Sequence, residues 1–348
     1  GSEDLVGGVK TFDRGATRMD ADKETRRVEV TKGRGWMAVL LLLPVVATAN
    51  AQAPDFSKIE IKAEKVAGNV YMLYGVGGFA GGNIGVSVGE DGIVLVDDEF
   101  EPLVPKIQAA LAGITDKPVR FVLNTHWHGD HTHGNKVFGK TATILAQENV
   151  RTRMAADTRF DDQPNTPTPQ HALPIITFSE RATIHLNGED IRGIHTPHAH
   201  TDGDTVVYFP QSNVIHMGDD FFNHWFPFID LDSGASVRGY IAAVEGVLRE
   251  AKPGAKIIPG HGPLASVEDL KNFHAMLTES LAIVEAGIKQ GKSLDQLKKD
   301  KVLAKFDAWS WQFIKADGFL EMIYKDLTKK PMGYQPHGHL HEQTGGGR

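Results

Sequence analysis

The chain has 348 residues, 41% of them hydrophobic and 23% charged, which suits a globular protein and excludes a collagen-like, wholly disordered or polytopic membrane chain. Its formal charge is −7, from 37 Lys and Arg against 44 Asp and Glu, a balance that disfavours nucleic acid as a partner. There is no cysteine but there are 16 histidines, so disulfides and thiolate chemistry are excluded and any metal must sit on imidazole and carboxylate.

The first segments in chain order are not expected to belong to the fold. Residues 1–33 read as an N-terminal extension or cloning remnant. Lys32 and Arg34 precede an apolar run from Trp36 to Val46 and the small-x-small triplet Ala49-Asn50-Ala51. That is the three-part pattern of a signal peptide, placed at 34–51, with the mature chain starting near Gln52. The run is too short to span a bilayer comfortably, so a periplasmic or secreted protein with no membrane anchor after cleavage is expected.

A single domain is expected over 52–330. Short β-rich runs come first, at Ile59–Ala63, Val70–Tyr74, Asn83–Val88 and Ile93–Val96, with a mobile glycine-rich loop between Gly75 and Gly82. Pro102–Leu111 has helical spacing, Val119–Asn124 reads as a strand buried on both faces, and Glu148–Ala155 as a helix. Asp157–Pro174, with four prolines, reads as a long irregular loop. Strands follow at Ala182–Leu186, Ile191–His195, Thr205–Phe209, Val214–Met217 and Lys256–Ile258. Helices are expected at Val237–Glu250 and Val267–Lys289, and helical pattern continues to Leu327. The Gly/His-rich tail 331–348, with His337, His339 and His341, reads as flexible and solvated. Two β-runs, each closed by helices, suggest sheets packed on each other with helices outside.

The chemistry concentrates in Asn124-Thr-His126-Trp-His128-Gly-Asp130-His131, directly after a strand. In an extended stretch His126, His128 and Asp130 alternate onto one side, leaving His131 to face elsewhere. Three imidazoles and a carboxylate in six residues are costly to desolvate unless paired or metallated, and they suit zinc, with iron or manganese less favoured. His200, Asp219 and His261 each follow a strand and precede or follow a glycine-bearing turn, where a scaffold presents ligands. Ligands spread from 126 to 261 need the whole domain folded.

This combination, HxHxDH followed by separate His, Asp and His, resembles the metallo-β-lactamase superfamily over residues ~58 to 265. The resemblance implies an α+β fold, a four-layer αββα sandwich with two zinc ions at one edge. It implies that His126, His128 and His200 hold the first ion, that Asp130, His131 and His261 hold the second, and that Asp219 bridges them. The clinical β-lactamases of the superfamily carry cysteine or serine where Asp219 stands, and the cysteine type has a substrate-gripping lysine where Phe222 stands. An aspartate there is similar to glyoxalase-II-type hydrolases, lactonases and phosphodiesterases.

The expected protein is therefore a metallo-hydrolase acting on a small-molecule substrate through a hydroxide shared by two ions. Asp130 is the expected catalytic residue, orienting the nucleophile and passing a proton to the leaving group. A β-lactam is the leading substrate, with lactone or thioester as the alternative. A mononuclear iron dioxygenase acting on a persulfide and a non-catalytic binding module remain as further readings. No nucleic acid or protein partner is inferred. Asp97, at a strand end, is a candidate for holding a ligand in place. His133 and His198 read as neighbours of the ligands, and His185, His195 and His216 as core or edge histidines. Phe221, Phe222, Trp225, Phe226 and Phe228 are either core or a wall beside the metals, and Trp127 is expected to face away from them.

Overall fold

The computed structural model describes residues 55–156 and 166–329. The proposed extension, signal peptide and tail, and residues 157–165 of the proline-rich loop, lie outside the described residues. Two sheets form the framework. The first has seven strands in the order β1 (Glu60–Ala67), β2 (Val70–Val76), β3 (Ile84–Gly89), β4 (Gly92–Val96), β5 (Val119–Leu123), β6 (Thr143–Gln147) and β7 (Ile176–Phe178). Its first four strands are antiparallel and the last three join in parallel. The second has six strands, β8 (Arg181–Leu186), β9 (Glu189–Thr196), β10 (Asp204–Phe209), β11 (Val214–His216), β12 (Lys256–Ile258) and β13 (Ala265–Ser266).

Short helices α2 (Gly129–Thr132) and α3 (Asn135–Phe138) follow β5, and α4 (Glu148–Ala156) follows β6. The two-residue period of the strands sorts the core into layers. In β4, Ile93 and Leu95 pack outward under helix α1 (Val104–Ala112), beside Ile107 and Leu111. Val94 and Val96 point the other way, into the space between the sheets, where they meet Val207, Phe209 and Ile258. On the second sheet the same alternation sends Val214 and Ile258 inward. It sends Ile215 and Ile257 outward against the long helices. Those helices, α5 (Val237–Glu250) and α6 (Val267–Lys289), start where Ser236 and Ser266 cap free backbone amides. At Ser266, Asp269 reciprocates to complete a capping box. The result is the expected αββα order.

Several local expectations shift. β5 is only partly enclosed: Arg120 is exposed, and within the strand only Val122 and Leu123 are fully buried. The parallel strands β6 and β7 are additions to the expected elements. The helical pattern to Leu327 is broken into α7 (Leu294–Lys299), a 3₁₀ turn at Ala304–Trp309 and α8 (Ala316–Thr328). Among the described residues no helix is long and apolar enough to cross a membrane.

Candidate metal centre

Every candidate ligand lies just beyond a strand end at the same edge of the sandwich. β5 delivers the 126–131 segment, the β9–β10 loop delivers His200, β11 delivers Asp219 and β12 delivers His261. The backbone of the first segment is not extended throughout. After His128 it turns into a one-turn helix, α2 (Gly129–Thr132). The alternation read from the sequence therefore fails at Asp130: the turn swings it away from His126 and His128 and places it with His131.

Two groups of donors result. His126, His128, His200 and Asp219 form one, and Asp130, His131 and His261 the other, with the ligand atoms of each group within 4.8 Å of one another. Asp219 faces both. Its Oδ2 lies 3.5 Å from His200 Nε2 and 3.8 Å from His126 Nε2. Its Oδ1 lies 3.1 Å from His131 Nε2 and 3.4 Å from His261 Nε2. Asp130 Oδ2 completes the second group at 3.3 Å from His261 Nε2. A close backbone approach holds Asp219 here. A Cβ on Gly260 would come within 2.0 Å of Asp219 Oδ1, so only glycine fits at 260 without displacing that carboxylate.

Outward partners decide which nitrogen of each imidazole faces in. His200 Nδ1 sits 2.8 Å from the Phe228 carbonyl, which can only accept, so Nδ1 carries the proton. His128 Nε2 donates to Asp230 Oδ2 at 3.0 Å. His131 Nδ1 donates to Asp97 Oδ2 at 2.8 Å. Thr125 Oγ1 gives its proton to Asp97 Oδ2 and so accepts from His126 Nδ1. These assignments point lone pairs inward from His126, His128 and His200, and leave Nε2 as the inward atom of His131, 3.1 Å from Asp219 Oδ1. His200 Nε2 and His128 Nδ1 then oppose each other at 2.9 Å with no proton between them, and His126 Nε2 is buried without a hydrogen-bond partner. Facing lone pairs are repulsive unless a cation lies between them, so the donor set fits a metal.

Electrostatics divide the two groups. Burial pushes His126 well below the usual imidazole range and His200 down to about 4. In the second group burial also opposes charge, but Asp219 and Asp130 outweigh it. They raise His261 to about 9 and hold His131 well above its ordinary value. Asp219 stays ionised despite burial, held low by His261, His131 and His200.

The other residues fall as follows. Asp97 takes the positioning role expected of it. Asp230, which orients His128, was missed; it is 102 residues away in sequence and its local signal is an ordinary Asx turn to Ser233. His216 is a core residue bonded to the Asn83 carbonyl and His195 bonds the Asp202 carbonyl, whereas His185 is exposed beside Asp190. The aromatic cluster splits. Phe221 and Phe226 are core, while Phe222 and Phe228 line a cavity of about 760 Å³ in front of the metal groups. Trp127 packs against the small core cluster of Ala146, Val150, Met154 and Leu173, and borders the cavity beside His128.

An αββα sandwich with two His/Asp donor groups at one edge defines a class of metal-binding scaffold. The chain belongs to the metallo-β-lactamase superfamily, a family of hydrolases, whose model matches residues 77–261. It is 30% identical over 185 residues to the β-lactamase-like protein 2 homolog of Drosophila melanogaster, covering 50% of this chain and 58% of that protein. It is 27% identical over 138 residues to the α subunit of 2,4-dinitroanisole O-demethylase from Nocardioides sp. strain JS1661, covering 38% and 39%. The chain thus spans little more than half, or less, of the curated relatives it matches. Solved structures with the same fold include a metallo-β-lactamase from Pontibacter korlensis, with TM-score 0.51, 19% identity, and coverage of 63% of this chain and 99% of that one. They also include the sec-alkylsulfatase Pisa1 from Pseudomonas sp., with TM-score 0.57, 14% identity, and coverage of 76% and 50%.

Proposed function

We propose that this protein is an exported hydrolase carrying two zinc ions, one in each donor group, that cleaves a small carbonyl substrate. The observation that carries the reading is Asp219, which presents one oxygen to each group. When bound, the ions would supply Lewis acidity and lower the pKa of water into the neutral range. His126, His128 and His200 would hold the first, Asp130, His131 and His261 the second, with Asp219 between. Asp130 also lines the cavity, and its side chain is one-fifth exposed. Burial opposes its ionisation, but His131 and His261 keep its carboxyl well below the usual range. It is thus an ionised acceptor able to orient an attacking water. Elemental analysis after zinc-replete purification is expected to find close to two zinc ions per chain. One ion or fewer would count against the dinuclear site, and a single iron would favour the persulfide dioxygenase.

Proton uptake separates the two groups. Near neutral pH the metal-free first group presents His126 and His200 as neutral imidazoles, whereas His131 and His261 hold protons that a second ion must expel. The second ion is expected to release about two protons on binding at pH 7, and its affinity to rise with pH toward the His261 value of about 9. Calorimetric titration in buffers of different ionisation enthalpy counts them; release of no protons would contradict the assignment.

A β-lactam remains the leading substrate, with lactone or thioester as the alternative. Phe222 stands where the cysteine-type β-lactamases place an anion-gripping lysine; here it is buried and stacks on His261 at 4.9 Å. Loss of one charge-assisted contact weakens binding by roughly 10–150-fold. Chelator-sensitive β-lactam hydrolysis with a raised KM is expected. A low-micromolar KM for penicillins would refute the argument, and inactivity beside brisk lactone or thioester cleavage would select the alternative. Export rests on the Lys32–Ala51 pattern; N-terminal sequencing of periplasmic material should begin near Gln52, and a start at Met19 or Met37 would refute it.

A further inference from the structure

We propose that the cavity carries an aromatic-binding subsite, built jointly by the glycine-rich loop and the C-terminal segment after α7, and that the preferred substrate bears an aromatic or comparably bulky apolar group beside its scissile carbonyl. This rests on the hydrolase reading above. Phe79 comes from the loop, and Trp311 and Phe313 from the segment between the 3₁₀ turn at Ala304–Trp309 and α8. The three rings form one cluster. Phe79 meets Phe313 edge-on at 4.7 Å, and Trp311 meets Phe313 edge-on at 4.9 Å. All three line the same cavity as Asp130 and Asp219. Phe79 also stacks on the His261 imidazole at 5.7 Å, so the apolar wall reaches the second donor group itself.

The cluster is pre-formed and partly uncovered. Trp311 is fixed on two sides: its indole N–H donates to the Phe226 carbonyl at 3.0 Å, and its ring lies flat on Trp225 at 5.1 Å. Phe313, by contrast, is 58% exposed and Phe228, on the same cavity, is 43% exposed. Exposed phenyl rings beside a rigid indole, at the mouth of a site with charged groups at its floor, are the arrangement of a pocket that orients a substrate by its apolar part. Among the described residues lining the cavity there is no lysine or arginine, so apolar contact governs recognition on this wall.

The test compares two thioesters with one leaving group, S-ethyl ethanethioate and S-ethyl 2-phenylethanethioate, on the zinc-loaded enzyme. Water adds to the acyl carbon, the C–S bond breaks, and ethanethiol and the carboxylic acid are released; the thiol is read directly because the protein has no cysteine. The binding of 4-phenylbutan-2-one and butan-2-one, ketones that cannot be hydrolysed, is measured alongside by ligand-observed NMR. The phenyl group is expected to raise kcat/KM and ketone affinity by about tenfold or more. Phe313→Ala, at an exposed position, and Phe79→Ala are each expected to collapse both ratios. Equal values for phenyl and methyl probes, or ratios that survive both substitutions, overturn the subsite while leaving the hydrolase reading standing. If neither thioester is cleaved but the ketones show the phenyl preference and its loss in the variants, thioester is excluded as the substrate class and the subsite stands.

Discussion

Asp219→Ala is expected to lower hydrolysis by about a thousandfold or more, equivalent to roughly 4 kcal/mol of transition-state stabilisation, and to cut the bound metal from two ions to at most one. The carboxylate lies within 3.1–3.8 Å of imidazoles in both donor groups. Without it, the raised values of His131 and His261 lose their largest favourable contribution, and the first group keeps three imidazoles only. Asp219→Asn separates charge from shape, because it retains one acceptor oxygen. Metal stoichiometry by elemental analysis and kcat/KM on the best panel substrate decide the matter. A variant that keeps two ions and activity within tenfold would show that the groups do not depend on a shared carboxylate. The fold is expected to survive, since the Tyr240 hydroxyl donates to the backbone carbonyl of Asp219, a contact the substitution leaves in place.

The second large effect is expected at a residue that touches no substrate. Asp97→Ala should weaken metal binding by about 10–100-fold, through His131. Asp97 is fully buried, and its carboxylate accepts from the Thr125 amide at 2.7 Å, from the Thr125 hydroxyl at 2.7 Å and from His131 Nδ1 at 2.8 Å. Removing it leaves those donors buried without partners, at about 1–3 kcal/mol each, so a lower melting temperature should accompany the loss. Asp97 also holds a left-handed backbone, with φ of 65°, which aspartate tolerates better than most residues. Asp97→Asn keeps that tolerance and the size. It should recover stability more than metal affinity, because its amide cannot accept all three protons. Competition against a chelator measures the affinity and thermal denaturation the stability. Metal affinity within twofold of the parent in both variants would rule out the positioning role.

Much of the donor set was legible without coordinates because its signal is chemical. His126, His128, Asp130 and His131 crowd into six residues that no apolar core could accept. His200, Asp219 and His261 stand at strand ends whose apolar runs are plain. The division of these ligands was less legible from spacing. Alternation groups His126, His128 and Asp130, and it took the short turn α2 to put Asp130 with His131. That turn lacks any period of its own, being four residues long. The resemblance to the family supplied the grouping that local geometry could not.

The partners that orient the ligands divide along the same line. Asp97 was visible as an acid closing a buried strand, whereas Asp230 looks like any turn residue until the fold brings it 3.0 Å from His128. The cavity walls were the least legible. Phe79 and Phe313 are separated by 234 positions and meet at 4.7 Å. Composition and most of the strands could be read along the chain, because hydropathy and period are properties of neighbouring residues. Which aromatic faces solvent, which faces a core and which faces the metal groups depends on how two sheets and a C-terminal segment pack. Hydropathy is the same for Phe226 in the core and Phe228 at the cavity mouth, and only three-dimensional packing tells them apart.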